Sequence, residues 1–289
     1  MRGYVPKYDL VVPRDADEAL LLLAEGEGAW RPFAGGTDLM VLLEAGRLEH
    51  TRFVSLLGLR ELRGVWEEGD RVAVGALTTY GDVLRSELLR REFPMLCEAA
   101  RLTGGPAIQN RGTLGGNVAN ASPAADTPPA LLAYGAEVEL LSRSGTRRVP
   151  YADFHTGYKR TVMRPDEMVA RLLLPRPAKG ARHFYRKVGT RRAQAISKVC
   201  FAGLIEREGP EVREVRLALG SVAPTVLRCR RAEEVLKGTS TGRPHGGGRS
   251  AALDALEAEI SPIDDVRSTA LYRARVARNL LAEFLDGAA

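Results

Sequence analysis

Cysteine is scarce in this 289-residue chain: Cys97, Cys200 and Cys229 stand far apart and never form a CxxC pair. That spacing argues against zinc-ribbon or iron–sulfur ligation built by this chain alone. Four scattered histidines (His50, His155, His183, His245) give no HExxH spacing, so no metal centre is expected. No apolar run approaches the ~20 residues of a membrane-spanning helix. Met1-Arg2-Gly3-Tyr4 lacks the apolar segment of a secretory signal, and a cytoplasmic protein is the expectation. Aromatic residues make up 6%, which leaves little surface for stacking nucleic-acid bases. Lysine is short as well: 6 of the 42 basic residues are Lys and the rest are Arg.

What is present is ordinary for a globular protein. Hydrophobic residues make up 45% and charged residues 27%, and the length allows two or three compact units. Most of the bases behind the +6 charge are interleaved with acids. One run differs: residues 176–198 hold eight bases (Arg176, Lys179, Arg182, Arg186, Lys187, Arg191, Arg192, Lys198) and no acid. A solvated loop, an anion site, a docking surface and a nucleic-acid patch all remain open for it.

Local patterns predict a strand at 8–13, a helix at 18–24 capped by Asp15 or Asp17, a buried strand at 30–34 and a helix at 39–45. This β-α-β-turn-α order favours a small, mostly parallel sheet. A strand at 53–56 follows, then a hairpin of 62–66 with 71–74, a helix from Thr78-Thr79, and a helix at 93–102. Residues 137–142 and 147–149 pair across a turn, and 169–174 is an apolar strand ended by Pro175. Pro175-Arg176-Pro177 reads as a domain boundary. Beyond it, antiparallel strands are predicted at 183–188, 195–206 and 214–219. Helices follow at 231–236, 251–259 and after Ser268, the last with a stripe of Ala270, Leu271, Ala274, Ala277, Leu281 and Phe284. Residues 238–250 carry five glycines and are predicted to be an exposed loop.

Two glycine pairs carry the chemistry. In Ala34-Gly35-Gly36-Thr37-Asp38 a strand ends, the chain turns and a helix begins. Free N–H groups at such a turn, aided by the helix dipole, favour phosphate. Asp38 is negative and is expected to cap the helix or to meet a hydroxyl. The second loop, residues 111–126, holds Thr113, Gly115, Gly116, Asn117, Ser122 and Asp126 before an apolar helix at 128–133. Gly-Gly lets backbone lie flush against a ligand. Neither loop is GxGxxG or GxxxxGK[ST], so dinucleotide-fold and P-loop readings fail on spacing. Two separate loops suit an extended dinucleotide lying between subdomains.

On these residues the chain resembles the FAD-binding subunit of molybdenum hydroxylases, the medium subunit of carbon monoxide dehydrogenase-type enzymes and the flavin domain of xanthine dehydrogenase. The motifs, in order, are AGGTDL at 34–39, VGALTTY at 74–80, IQNRGTLGGNVANASPAADTPPALLA at 108–133, YRKVGTRRAQAISKVCFA at 185–202, LGSVAPTVLR at 219–228 and YRARVARNLL at 272–281. The resemblance implies an α+β protein. A two-subdomain α/β FAD-binding domain of the PCMH type would occupy residues 1–177, split at about residue 55. A smaller α+β domain with an antiparallel sheet and helices would follow at 178–289.

It also implies roles. Pro32, Phe33, Ala34, Gly35, Gly36, Thr37, Asp38 and Leu39 would wrap the FAD pyrophosphate. Thr113, Leu114, Gly115, Gly116 and Asn117 would contact the phosphates and ribityl chain, with Ser122 nearby. Asp126 would accept from flavin-side hydroxyls, Val169 would give an apolar backbone contact, and Lys187 would stand near the isoalloxazine. Thr103 replaces an aromatic found in some relatives, and 189–194 matches a variable loop over the flavin. No side chain is implied as a catalytic acid or base. The implied partners are a [2Fe-2S] small subunit and a molybdopterin large subunit, in a dimer of heterotrimers, with an external electron acceptor. A subgroup of the benzoyl-CoA reductase type carries a cysteine-bearing insertion that this chain lacks.

Two rival readings stand beside this one. A stand-alone flavin oxidase would often bond its flavin through a histidine or cysteine, and neither glycine loop contains one. A basic nucleic-acid module would rest on residues 176–198, where only Phe184 and Tyr185 interleave with the bases.

Overall fold

The computed structural model describes residues 7–26, 28–240 and 247–287. The sequence expectation for residues 1–4 lies outside them.

The first unit is a parallel three-stranded sheet in the order Asp9–Val11, Arg52–Ser55, Arg31–Phe33. Helix Ala16–Glu25 makes the first crossover. Asp15 starts it, accepting from the Glu18 N–H at 2.9 Å. Ala19, Leu20 and Leu23 recur at helical spacing and are buried with Trp30, Val54 and Leu56. Arg31–Phe33 is an edge strand and only half-buried, which corrects the expected buried strand.

The second unit is a five-stranded antiparallel sheet in the order Val65–Glu68, Arg71–Gly75, Met168–Pro175, Glu137–Ser142, Gly145–Pro150. Strand alternation assigns its two faces. Val72, Val74, Val138, Leu140, Leu172 and Leu174 face helices Tyr80–Arg85, Pro94–Leu102 and Thr127–Ala133. Met168 and Ala170 face the other way, into the core of the first unit. The register slips between Val169 and Arg171, and this bulge bends the strand beside the first unit.

The third unit is an antiparallel sheet in the order Arg182–Val188, Val199–Glu208, Glu211–Gly220, Leu227–Arg228. Phe201, Ile205, Leu217 and Leu219 pack on helices Arg230–Leu236, Gly247–Glu259 and Ala270–Asp286. Ala202, Leu204 and Ala218, on the opposite face, join the core of the second unit. Thr127–Ala133 lies between the two sheets and all seven of its residues are buried. Each buried leucine there contributes about 1.5–3 kcal/mol of transfer free energy.

Several expected elements shift. Leu62 sits in a 3-10 turn, Arg60–Leu62, ahead of the hairpin strand. Residues 195–198 precede the strand that begins at Val199, because the chain first rounds the loop after Val188. Helix Gly247–Glu259 includes the expected helix from residue 251 and also takes in 247–250 of the expected exposed loop, while 241–246 lie outside the described residues. In the last helix Ala277, Leu281 and Phe284 are buried as expected, but Leu271 is 61% exposed, the inward position of the first turn being taken by Arg273, which donates to the Lys198 and Ser221 carbonyls.

Candidate cofactor-binding cleft

The two glycine segments meet. A Cβ built on Gly35 would lie 1.9 Å from the carbonyl oxygen of Arg111, so only glycine lets the first loop lie against the start of the second. Gly36 has φ +74°, and a Cβ there would lie 2.6 Å from the Phe33 ring. Phe33 packs edge-on to Phe53 at 6.1 Å and supports the turn from below. The N–H groups of Gly35, Gly36, Thr37 and Asp38 have no acceptor among the described residues.

The second segment is not an open loop: Leu114–Ala119 is a helix, capped by Thr113, whose Oγ1 accepts from the Gly116 N–H at 3.1 Å. Its other early N–H groups are also engaged. Leu114 donates to the Thr78 carbonyl, Gly115 to the Ala76 carbonyl and Asn117 to the Thr113 carbonyl. What this segment offers a ligand is shape. A Cβ on Gly115 would strike Ala76 at 2.5 Å, while one on Gly116 would meet the Thr113 hydroxyl at 2.9 Å and Ala34 only at 3.9 Å. Asn117 accepts from Thr127 Oγ1 at 2.6 Å through its carbonyl oxygen, which leaves its NH2 for a ligand.

Between the segments lies a cleft with two lobes. The polar lobe, about 280 Å³, is lined by Ala34, Gly35, Gly36, Thr37, Asp38, Leu39, Thr113, Gly116 and Asn117, together with Arg31, Tyr80, Ala119 and Asn120. The apolar lobe, about 200 Å³, is lined by Pro32, Leu56, Ala76, Leu77, Gly115, Met163 and Val169, and shares Ala34, Gly116 and Ala119 with the first. Asp38 makes no side-chain cap bond. Its carboxylate takes a 3.2 Å contact from Lys159, which also donates to Asn120 at 2.9 Å. Burial, and then the nearby charge of Asp126, push the Tyr80 phenol above its usual pKa, so its hydroxyl stays protonated in the wall.

The remaining expected site residues stand outside the lining of both lobes. Leu114 is fully buried in the core. Ser122 accepts from the Ala124 N–H, and its neighbour Pro123 accepts from the Ser221 N–H. Asp126 and Lys187 meet directly at 2.6 Å, both nearly buried. Ser197 donates to Asp126 at 2.7 Å and Lys187 donates to the Leu102 carbonyl at 2.9 Å. Burial raises the Asp126 carboxyl above its ordinary pKa, against the opposing pull of Lys187 and of the Ser197 and Thr103 hydroxyls. This pair ties the third unit to the second, and Gln194 of the variable loop lies over Gly105, where a Cβ would come within 2.9 Å of its amide.

Sequence reasoning did not single out Arg31, Tyr80, Asn120 or Lys159. Arg31 and Tyr80 fall in or beside the quoted motifs, but only the folded loops show that they face the cleft. The basic run is dispersed: Arg176 pairs with Glu67 and Glu92, Arg186 with Glu283 and Lys187 with Asp126. Arg191 bonds carbonyls of its own loop and Lys198 lies over the Tyr272 ring. Among the described residues no group of His, Cys, Asp and Glu could hold a metal ion, and no helix is long and apolar enough to cross a membrane.

Comparison with known proteins gives matches over nearly the whole chain. The family described as the FAD binding domain in molybdopterin dehydrogenase matches residues 6–177, and the CO dehydrogenase flavoprotein C-terminal domain matches residues 183–288. The carbon monoxide dehydrogenase medium chain of Hydrogenophaga pseudoflava is 30% identical over 283 residues, covering 98% of this chain and 97% of that protein. The glyceraldehyde dehydrogenase medium chain of Sulfolobus acidocaldarius is 32% identical over 277 residues, 96% of each. A putative xanthine dehydrogenase FAD-binding subunit of Escherichia coli is 35% identical over 219 residues, 75% of each. A solved structure of the Hydrogenophaga carbon monoxide dehydrogenase superposes with a TM-score of 0.92 at 30% identity, over 97% of this chain and 96% of that one.

Proposed function

The chain belongs to the family of FAD-binding medium subunits of molybdenum hydroxylases, and from that premise we propose that it carries electrons from [2Fe-2S] centres to an external acceptor. The observation that carries this reading is the cleft, where four residues whose main-chain N–H groups have no acceptor among the described residues line one lobe together with a bare glycine helix, beside an apolar recess.

The residues fit the cofactor. Gly35, Gly36, Thr37 and Asp38 turn donors toward a pyrophosphate, which an uncharged nest of N–H groups recognises well. Gly116 gives the close approach, Asn117 adds an amide donor, and Thr113 fixes both by capping their helix. Pro32, Leu39 and Val169 bound the ligand with apolar surface. Lys187, neutralised by Asp126, sets the charge behind the variable loop and so tunes the potential there. Ser122 and Asp126 hold the segment between cleft and third unit in place. FAD, when bound, accepts electrons one at a time and releases them as a pair, which suits a station between one-electron and two-electron carriers.

The domain division we favour is residues 1–177, with subdomains meeting at about residue 55, and residues 178–289. The separate family matches and the strand that closes at Pro175 support it. The partners we propose are an iron–sulfur small subunit and a molybdopterin large subunit, assembled as a dimer of heterotrimers. Purification of the tagged chain from its own host tests this. A yellow complex containing iron and molybdenum is expected; a colourless chain with neither metal would contradict the reading.

A further inference from the structure

Among the described residues Arg31 is the only cation in the lining of the polar lobe, and its charge is unanswered. Its Nε is buried without a hydrogen-bond partner, and no carboxylate lies within ion-pair distance among the described residues. Its charge is instead felt by His50, whose pKa is lowered by burial and then by Arg31. Arg249 and Arg273 also leave Nε unpartnered, but each has a carboxylate within 2.8 Å; Arg31 has neither a partner for its Nε nor one for its charge, and such a group is costly to bury. The other charges at the cleft are satisfied within the protein, since Lys159 is spent on Asp38 and Asn120.

Position explains how Arg31 comes to face the ligand. It begins the edge strand Arg31–Phe33, four residues before Gly35, so the strand that delivers the glycine turn also delivers the guanidinium. The N–H groups of residues 35–38 are dipoles and bring no net charge, whereas a diphosphate carries at least two negative charges. We propose that Arg31 is a diphosphate-binding residue: its guanidinium donates to the phosphate oxygens of the dinucleotide and supplies the positive charge that the glycine turn lacks. This rests on the reading that the FAD pyrophosphate occupies the polar lobe. Arginine suits the task because its planar fork binds phosphate through charge-assisted bonds.

The test is a titration of the FAD-freed full chain with FAD, followed by flavin fluorescence quenching, with ADP as competitor. Arg31→Gln should weaken both FAD and ADP about 10- to 100-fold, the loss of a charge-assisted contact. Arg31→Lys should recover part of that loss for both ligands. Three results would overturn the inference: affinities within about 2-fold of the parent for Arg31→Gln, weaker FAD with unchanged ADP, or a ligand-free melting temperature that falls together with affinity. Gly116→Val serves as the control. If it loses FAD while Arg31 variants do not, the inference fails and the cleft assignment stands; if neither loses FAD, the cleft assignment fails too.

Discussion

Gly116→Val separates the ligand role of the cleft from its structural role. An added Cβ meets the Thr113 hydroxyl at 2.9 Å and Ala34 at 3.9 Å, and the rest of its surroundings is the opening shared by both lobes. Displacing that hydroxyl weakens the cap it gives the helix, at a cost of about 1 kcal/mol. Replacing a helical glycine returns a few tenths of a kcal/mol. The ligand-free protein should therefore lose under about 1 kcal/mol, a fall of roughly 2–4 °C in melting temperature. The isopropyl group, by contrast, stands where the dinucleotide must pass, and FAD affinity should fall at least ~100-fold, about 2.7 kcal/mol. Thermal melts with and without excess FAD read both quantities. FAD at ~100 times its Kd stabilises the parent by about 2.7 kcal/mol and should stabilise the variant by no more than about 0.4 kcal/mol. A variant that purifies with a full flavin complement, or that FAD stabilises as it does the parent, refutes the assignment.

Other perturbations probe the surrounding architecture. Lys187→Met leaves Asp126 buried without its cation, so stability should drop by about 3–5 kcal/mol. Adding Asp126→Asn should return most of it. In Lys187→Met alone the flavin potential should move to lower values, because a cation is lost and its carboxylate stays; an unchanged potential in a redox titration would remove the tuning role. Glu167 tests pH dependence. Burial would raise its carboxyl, but bonds from Arg147 and from the Arg164 N–H outweigh burial and hold it below its ordinary value. Its stabilisation is then complete above the unfolded pKa of about 4.3 and lost as pH falls through the lower native value. Glu167→Gln should cost about 2 kcal/mol in urea melts at neutral pH and almost nothing in strong acid; a constant difference would contradict the assignment. Leu131→Ala, at a fully buried site between two sheets, should cost about 2–5 kcal/mol by the same melts, and a loss under about 1 kcal/mol would mean the site collapses around it.

Much of this was legible before the fold was known, for physical reasons that differ by element. Helix Ala16–Glu25 announces itself through Asp15 and the spacing of Leu20 and Leu23, both local signals. The hairpin Glu137–Ser142 with Gly145–Pro150 does so through its turn. The glycine pairs marked the cleft because Gly35 is required where backbone meets backbone, and such a need leaves a trace in composition. Helix Leu114–Ala119 was hidden, since its glycines and asparagine read as loop and only tertiary bonds to Ala76 and Thr78 fix it. Only the first turn of helix Gly247–Glu259 was hidden likewise, being glycine, arginine and serine; the rest, from residue 251, was legible. Arg31 and Lys159 carry no local signature, because what sets them apart is which partners they lack or find across the chain. The direct Asp126–Lys187 pair spans 61 positions and could be read only from the fold.

The most direct measurement is the flavin content of the full chain after saturation with FAD and removal of free ligand by gel filtration. One FAD retained per chain, with flavin absorption bands shifted from those of free FAD, is the expected result. A chain that emerges colourless, with its flavin entirely in the small-molecule fraction, would contradict the assignment of the cleft between residues 35–38 and 113–117 as a flavin site.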